Sequence, residues 1–302
     1  MSAVPAGRLT AELAAGLGAD DSAGLTLPRL VLAARLRRLR GRRGMSRRAA
    51  APAVGSEHRL AALESGMTRC GLCDVMALCD LYGIDEHATR VALLELARQS
   101  HRPGWWQSYR TLIPAWFLPY VGAEQIAAVI RCYAAQYVPD LLQTPDYARA
   151  QLRLLHPAEP ESRTDSRVGL RMRRQHVLHR ARPAVLWAVL DEAALRRPVG
   201  GRAAMFRQLE HLLDLCDAPN VTLQVLPFAF GGHAALSGPM ALLRLPHDDL
   251  ADMVFLEQFG AALYPDRPGD QDYYRHAMNA LGLQAPPPAR TPRILREVIS
   301  SL

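Results

Sequence analysis

The stretch Met45-Ser46-Arg47-Arg48-Ala49-Ala50-Ala51-Pro52-Ala53-Val54-Gly55-Ser56-Glu57-His58-Arg59-Leu60-Ala61-Ala62-Leu63-Glu64-Ser65-Gly66 decides how the first part of this 302-residue chain folds. Ser46 and Ser56 each stand before a short helical run, where a hydroxyl accepts a hydrogen bond from an otherwise unpartnered amide of the first turn. Gly55-Ser56 makes a tight turn, and Gly66 ends the second of the two helices. Leu60 and Leu63 face a small core, which leaves Ser56, Glu57, His58 and Arg59 at the open start of that helix. Pro52 falls inside the first helix, beyond its first turn. A proline in a helix interior removes an amide donor and costs about 3 kcal/mol, so a break is expected there.

Upstream, Leu32, Leu36 and Leu39 recur at i, i+4 and i+7, one apolar stripe with Arg35, Arg37, Arg38 and Arg40 around it. Gly41 and Gly44 stop that helix. Downstream, Asp74 to Tyr82 turns Val75, Leu78 and Tyr82 inward and stops at Gly83, and Glu86 to Ser100 forms a fifth helix. Charge is segregated in the same region. All 36 basic residues are Arg; residues 1–70 hold 12 of them against 5 acids, while residues 71–302 hold 24 against 24. From Arg29 to Arg48 there are nine Arg and no acid. A cationic face of this density neutralises phosphates and gains affinity from released counterions; the plainer reading of charge alone is a solvated basic helix.

Three short helices with a Gly-Ser turn between the second and third, under positive charge, are the arrangement that lays one helix in the DNA major groove. The expected contacts are Arg42, Arg43, Ser46, Arg47, Ser56, Glu57, His58 and Arg59. Arg59 has the fork for bidentate bonding to guanine, and Ser56 suits a phosphate or a base edge. One such unit buries little surface, so paired half-sites on double-stranded DNA call for a homodimer.

The remainder reads differently. With 49% hydrophobic and 22% charged residues the chain has the composition of a soluble protein of about two domains. Its longest apolar run, Ala184 to Leu190, is far short of the ~18 residues of a spanning helix. The start lacks a secretory pattern, and five scattered cysteines do not form a disulfide framework; the expected setting is the cytoplasm, with no membrane partner. The expected organisation is a disordered lead-in at 1–26, a helix-turn-helix domain at 27–100, a joint within 100–118, and a domain at 105–302. In the last, a long helix is expected from Gly122 to Tyr137, a second after Thr144 to Leu155, and an Arg-rich one about Asp165 to Arg180. Ala184 to Leu190 and Val221 to Leu226 read as strands around a helix from Gly201 to Leu215, a parallel pair with a helical crossover. Met240 to Leu245 and Met253 to Phe259, joined through His247-Asp248-Asp249, read as an antiparallel hairpin. Helices around Asp272 to Leu281 and after Pro286-Pro287-Pro288 complete the chain. The fold class is multidomain: an all-α helix-turn-helix domain followed by an α+β domain with a small mixed sheet.

Leu36-Arg37-Arg38-Leu39-Arg40, Met45-Ser46, Gly55-Ser56, Leu63-Glu64-Ser65-Gly66 and Asp74-Val75 to Tyr82-Gly83 resemble the phage-repressor (Cro-like) helix-turn-helix. Gly104-Trp105-Trp106, Val138-Pro139-Asp140-Leu141-Leu142-Gln143-Thr144-Pro145-Asp146-Tyr147-Ala148-Arg149, Arg174-Gln175, Leu190-Asp191-Glu192-Ala193-Ala194-Leu195-Arg196, Gln208-Leu209, Val225-Leu226-Pro227-Phe228 and Gly238 resemble the large C-terminal domain of actinobacterial WhiJ-like regulators. The resemblance covers about residues 28–300. It implies a DNA-binding regulator, often encoded beside a small partner protein that modulates it, and implies no chemistry for the large domain. Ala62 stands where such proteins often have Arg, and Asp140 where they usually have Gly.

Other motifs were weighed for chemistry. Cys70-Gly71-Leu72-Cys73 lacks the second pair that a zinc site needs, so no metal or cofactor is expected. Asp191, Glu192 and Glu257 are acids at strand ends; His233 and Ser237 lie in the glycine-rich loop 230–238, which is no nucleophile elbow. Asp191, Glu192, His233 and Glu257 are the expected ligand-binding set, at a cleft bordered by residues 228–238. Arg167, Arg171, Arg173, Arg174 and Arg180 share a helix and are expected to pair with acids. The reading is a transcriptional regulator without turnover. Its rivals are a helix-turn-helix relative repurposed as an enzyme or biosynthetic accessory, and an interaction protein holding a small partner. The Pro52 break favours the rivals, the segregated charge the regulator.

Overall fold

The computed structural model describes residues 26–235, 238–246, 250, 252–265 and 268–302. Apart from Thr26, the lead-in expected at 1–26 lies outside the described residues, as do Ser237 and His247-Asp248-Asp249 of the expected hairpin link. The chain divides into two compact units, one running to Ile126 and joined by Pro246–Ala251, the other made of Ala127–Leu245 with Asp252–Leu302. Residues 105–126, expected with the C-terminal domain, thus group with the helices.

The first unit contains α1 (Leu27–Arg42), α2 (Arg47–Ala50), α3 (Glu57–Glu64), α4 (Leu72–Leu81), α5 (His87–Ser100) and α6 (Leu118–Ile126). The apolar stripe of α1 meets the inner faces of the next four helices: Leu32, Leu36, Leu60, Leu63, Val75, Leu78, Tyr82 and Leu93 are all buried in one cluster. Each such Leu stabilises the fold by about 1.5–3 kcal/mol through area removed from water. Ser46 accepts a hydrogen bond from Ala49 N at 3.1 Å and Ser56 one from Arg59 N at 3.1 Å, so both expected caps form.

Pro52 does not break a helix, which corrects the expectation. The α-helix has already ended at Ala50, and Ala51–Ala53 is a single 3-10 turn with the proline in its first positions. The proline therefore stands just past the α-helix, where its missing amide forgoes one bond rather than interrupting a longer ladder. Gly55, at φ +100°, then reverses the chain into α3, a conformation that a side chain would strain. Trp105 and Trp106 pack edge to face within this unit, and the Trp105 indole donates to Gln125 Oε1 at 3.1 Å. The Cys70 thiol is buried, and burial pushes it up to about 12, so it stays protonated.

The second unit is a six-stranded mixed sheet in the order β3-β2-β1-β4-β5-β6, with β1 Val129–Ala134, β2 Val185–Asp191, β3 Val221–Leu226, β4 Met240–Arg244, β5 Met253–Gln258 and β6 Ala261–Leu263. The first three strands run parallel and the rest antiparallel. Its helices are α7 (Pro145–Leu155), α8 (Glu161–Arg174), α9 (Glu192–Arg196), α10 (Gly201–Leu215), α11 (Pro268–Gln284) and α12 (Thr291–Ser300). The expected crossover, the two hairpin strands and the C-terminal helices are all present. The helix expected from Gly122 to Tyr137 is not: it ends at Ile126, and Val129–Ala134 is the central strand. Flanked by Val185–Leu190 on one side and Met240–Arg244 on the other, this segment gains two full ladders that a helix would forgo.

Three of the arginines expected to pair with acids do so, Arg167, Arg171 and Arg174; Arg180 lies beyond the helix, which ends at Arg174, and donates instead to the Arg182 and Ala127 carbonyls. Arg167 bonds Glu159 through two nitrogens at 2.7 and 2.8 Å, while Arg174 and Arg171 reach Asp140 at 2.7 and 3.3 Å. Asp140 belongs to the Val138–Arg149 string, whose polar groups are knitted inward. Gln143 bonds the Val138 carbonyl and Gln151, and Gln208 spans from the Leu142 carbonyl to the Thr144 amide. Burial alone would raise Asp140; the charges of Arg171 and Arg174 outweigh it and hold its carboxyl below the ordinary range.

Candidate functional site

The N-terminal end of α3 is presented to solvent. Ser56, Glu57, His58 and Arg59 are exposed on consecutive positions, while Leu60 and Leu63 anchor the helix from beneath. Its far end is fixed by charge. The Glu64 carboxylate is fully buried and takes two hydrogen bonds from Arg40, Nε at 2.6 Å and Nη2 at 2.9 Å, and one from Arg47 Nε at 3.2 Å. Arg40 also donates to the Met45 carbonyl at 2.6 Å. One acid thus ties α1, the turn after it, α2 and α3 into a single angle, and its hydrogen bond keeps the Arg40 guanidinium above its ordinary value.

The expected contact residues separate into two groups. Arg43 is turned inward to the end of α4, where its Nε donates to the Tyr82 carbonyl at 2.5 Å and its Nη2 to the Gly83 carbonyl at 2.8 Å. It satisfies carbonyls that a helix end leaves open. Arg47 shares Glu64, Ser46 is occupied as a cap, and Arg59 pairs with Asp74 at 2.8 Å while remaining 46% exposed. Asp74 also receives the Gly71 amide at 2.9 Å, so Arg59 is held over the start of α4. Arg42, by contrast, is exposed and has no acid or carbonyl partner among the described residues, as do Arg37 and Arg48 outside the expected set. Sequence reasoning missed Arg40 and Glu64 as the pair that sets the geometry; an acid following Leu63 at the inward end of α3, in a stretch rich in arginine, was the available signal.

In the second unit, Asp191 and His233 come together through a residue that the sequence reading had placed in a helix. Tyr133, near the end of β1, donates to Asp191 Oδ2 at 3.2 Å and lies 3.2 Å from His233 Nε2. His233 Nδ1 accepts the Ala235 amide at 3.2 Å, so the neutral ring carries its hydrogen on Nε2 and donates it to Tyr133. Burial, with the Asp191 charge, pushes the Tyr133 hydroxyl well above the usual phenol range. Asp191 Oδ1 also caps α9 through Ala193 N at 2.9 Å. Glu192 holds the Phe228 amide at 2.8 Å and Arg196 at 2.5 Å; burial would raise it, yet those two bonds keep it below the ordinary range. Glu257 stands apart from this chain and accepts from Tyr137 at 3.0 Å; the surrounding protein and the Asp140 charge push its carboxyl up. The chain Ala235–His233–Tyr133–Asp191 has every donor matched, and fastens residues 233–235 to the carboxyl ends of two parallel strands. Among the described residues no group of His, Cys, Asp and Glu could hold a metal ion, and no helix is long and apolar enough to cross a membrane.

Residues 31–93 match a helix-turn-helix domain family, and residues 117–297 match a domain of unknown function (DUF5753). No curated protein and no solved structure matches the chain. The N-terminal unit is therefore a helix-turn-helix domain, as its capped turn and steeply held α3 already indicate. Because the second match takes in well over half of the sequence, the chain belongs to the family defined by that domain of unknown function (DUF5753).

Proposed function

We propose that this protein is a sequence-specific DNA-binding transcriptional regulator related to the WhiJ-like regulators, working as a homodimer in the cytoplasm. The observation that carries the reading is the exposed Ser56-Glu57-His58-Arg59 edge of α3, locked at one angle by the buried Arg40–Glu64 pair and flanked by exposed arginines. Helix α3 enters the major groove; Arg59 and Ser56 address bases, and Arg42 and Arg48 address phosphates. The second unit dimerises and takes a small protein partner or ligand beside Asp191, Glu192 and His233, with the 228–238 loop responding. It has no turnover of its own and needs no cofactor.

The test is binding of the full chain to DNA selected from a random pool, read by fluorescence anisotropy across salt. The slope of log K against log salt should be about −0.9 per phosphate contacted. An Arg42→Ala, Arg48→Ala double variant should flatten it by roughly two contacts without changing the preferred sequence. Selection that recovers no preferred sequence would overturn the regulator reading.

A further inference from the structure

On the β1–β2 part of the sheet, Arg131 is arranged as few structural arginines are. Its guanidinium lies over the Trp187 ring, 4.5 Å from the centroid, and its Nη1 donates to Asn279 Oδ1 of α11 at 2.7 Å. Its Nε and Nη2 are both shielded from water and find no acceptor among the described residues. Those two nitrogens form one edge of the guanidinium, the fork whose spacing matches two oxygens of a carboxylate or phosphate. Leaving two charged donors dry and unpaired costs more than an ordinary unsatisfied amide.

The surroundings increase the deficit of negative charge. Arg244, on β4, is close enough that its charge and the burial of Arg131 together pull the Arg131 guanidinium below its ordinary value. Asp252 acts against this, raising the Arg131 guanidinium, but it also faces Arg275 of α11. Among the described residues, Asp252 is shared loosely, 3.6 Å from Arg244 and 3.8 Å from Arg275. Arg275 is also paired with Asp272 at 2.6 Å. The platform beneath is rigid. Trp187 Nε1 donates to Gln224 at 2.6 Å, Gln224 donates to the Gly282 and Pro286 carbonyls at 3.0 Å each, and a Cβ at Gly282 would fall 2.2 Å from the Trp187 ring. The glycine is there to let the indole lie flat against α11.

We propose that the fork of Arg131, with the Arg244 charge beside it, is a binding site for the oxyanion of a small molecule, a carboxylate or a phosphate. It is separate from the Asp191–Tyr133–His233 chain and does not depend on the DNA-binding reading. The indole face offsets only part of the charge.

The experiment titrates the full chain with inorganic phosphate and with acetate at constant ionic strength, following thermal stability and calorimetric heat. One of the two should bind saturably, and which one identifies the acid group. Arg131→Lys, which keeps the charge but not the fork, should weaken binding at least 10-fold. Asp252→Asn removes the competing carboxylate and should tighten binding several-fold, which keeps the test decisive if the Arg131 variant fails to fold. Arg293→Ala, an exposed arginine elsewhere, should leave affinity unchanged. Absence of saturable binding by either anion, or wild-type affinity in both the Arg131 and Asp252 variants, would overturn the site.

Discussion

The two units hold their arginines in opposite ways. In α8 of the second unit a crowded arginine face is met by acids: Glu159 takes Arg167, and Asp140 takes Arg171 and Arg174. In the helix-turn-helix unit, nine arginines between Arg29 and Arg48 meet no acid in their own stretch; Glu64 of α3 takes Arg40 and Arg47, while Arg37, Arg42 and Arg48 stay exposed. Density of positive charge alone therefore does not separate the two faces; what separates them is charge left without an internal carboxylate, which under the proposed function is the charge that meets phosphates. Both units also share one device, a carboxylate clasped between two arginines. Glu64 is wholly buried, whereas Asp140 keeps 20% of its side chain in solvent.

The largest expected effect tests that device where it is driest. Glu64→Gln leaves the Arg40 guanidinium buried beside a neutral amide, and removing one partner of a buried pair costs about 3–5 kcal/mol. The unfolding transition of the helical unit in urea should move down by that amount, and DNA affinity should fall with it. A loss of less than about 1 kcal/mol would show that water already reaches the pair.

Asp140→Asn is the counterpart in the second unit and should cost less, about 1.5–3 kcal/mol, because Asp140 keeps part of its side chain in solvent. Its effect carries a pH signature. Since the folded carboxyl is held below its unfolded value of about 3.9, the pair contributes fully above that pH, and the contribution is lost as pH falls through the lower folded value. The difference in melting temperature between wild type and variant should be full at neutral pH and should shrink below about pH 4. A gap that persists to the lowest pH would assign the loss to packing instead.

What could be read in the sequence was what is decided locally. The Ser46 and Ser56 caps, the Gly55 reversal and the α1 stripe each depend on residues within one or two turns. The central strand was invisible for the opposite reason. Val129–Ala134 follows a helix without a strong stop, and its strand character comes from partners more than fifty residues away, Val185–Leu190 and Met240–Arg244. Losing the strand meant losing Tyr133 and Arg131 from the site, since both are defined by what lies across the sheet. Arg43 is a similar case. Nothing in its own neighbourhood announces that the Tyr82 carbonyl is its partner. Pro52 was visible, but its harmlessness depends on a helix of only four residues, a boundary that pattern does not resolve.

Arg59 sharpens the contrast between internal pairing and outward reach. Its bond to Asp74 is partly exposed, so Arg59→Ala should change stability by less than about 1 kcal/mol. In DNA binding the same variant should cost about 1–3 kcal/mol and relax preference at one base position per half-site, read by competition among single-base operator variants. An equal loss on operator and random DNA would reassign Arg59 to phosphate.

The smallest effect has opposite signs in the two units. Tyr82, in the helical unit, and Tyr147, on α7 in the other, are both fully buried. The Tyr147 hydroxyl accepts the Val138 amide at 3.2 Å, whereas the Tyr82 hydroxyl has no partner among the described residues. Burial and the Glu64 charge push the Tyr82 hydroxyl up to about 12, so it stays protonated, a donor without an acceptor. Tyr82→Phe removes that group and should stabilise the helical unit by about 1 kcal/mol. Tyr147→Phe is the same chemical change, yet it strands a buried amide and should destabilise its unit by about 1 kcal/mol or more. Urea unfolding of the two variants checks both signs. If Tyr82→Phe destabilises as Tyr147→Phe does, the Tyr82 hydroxyl has a water partner in solution, and the helical core is wetter than its packing implies.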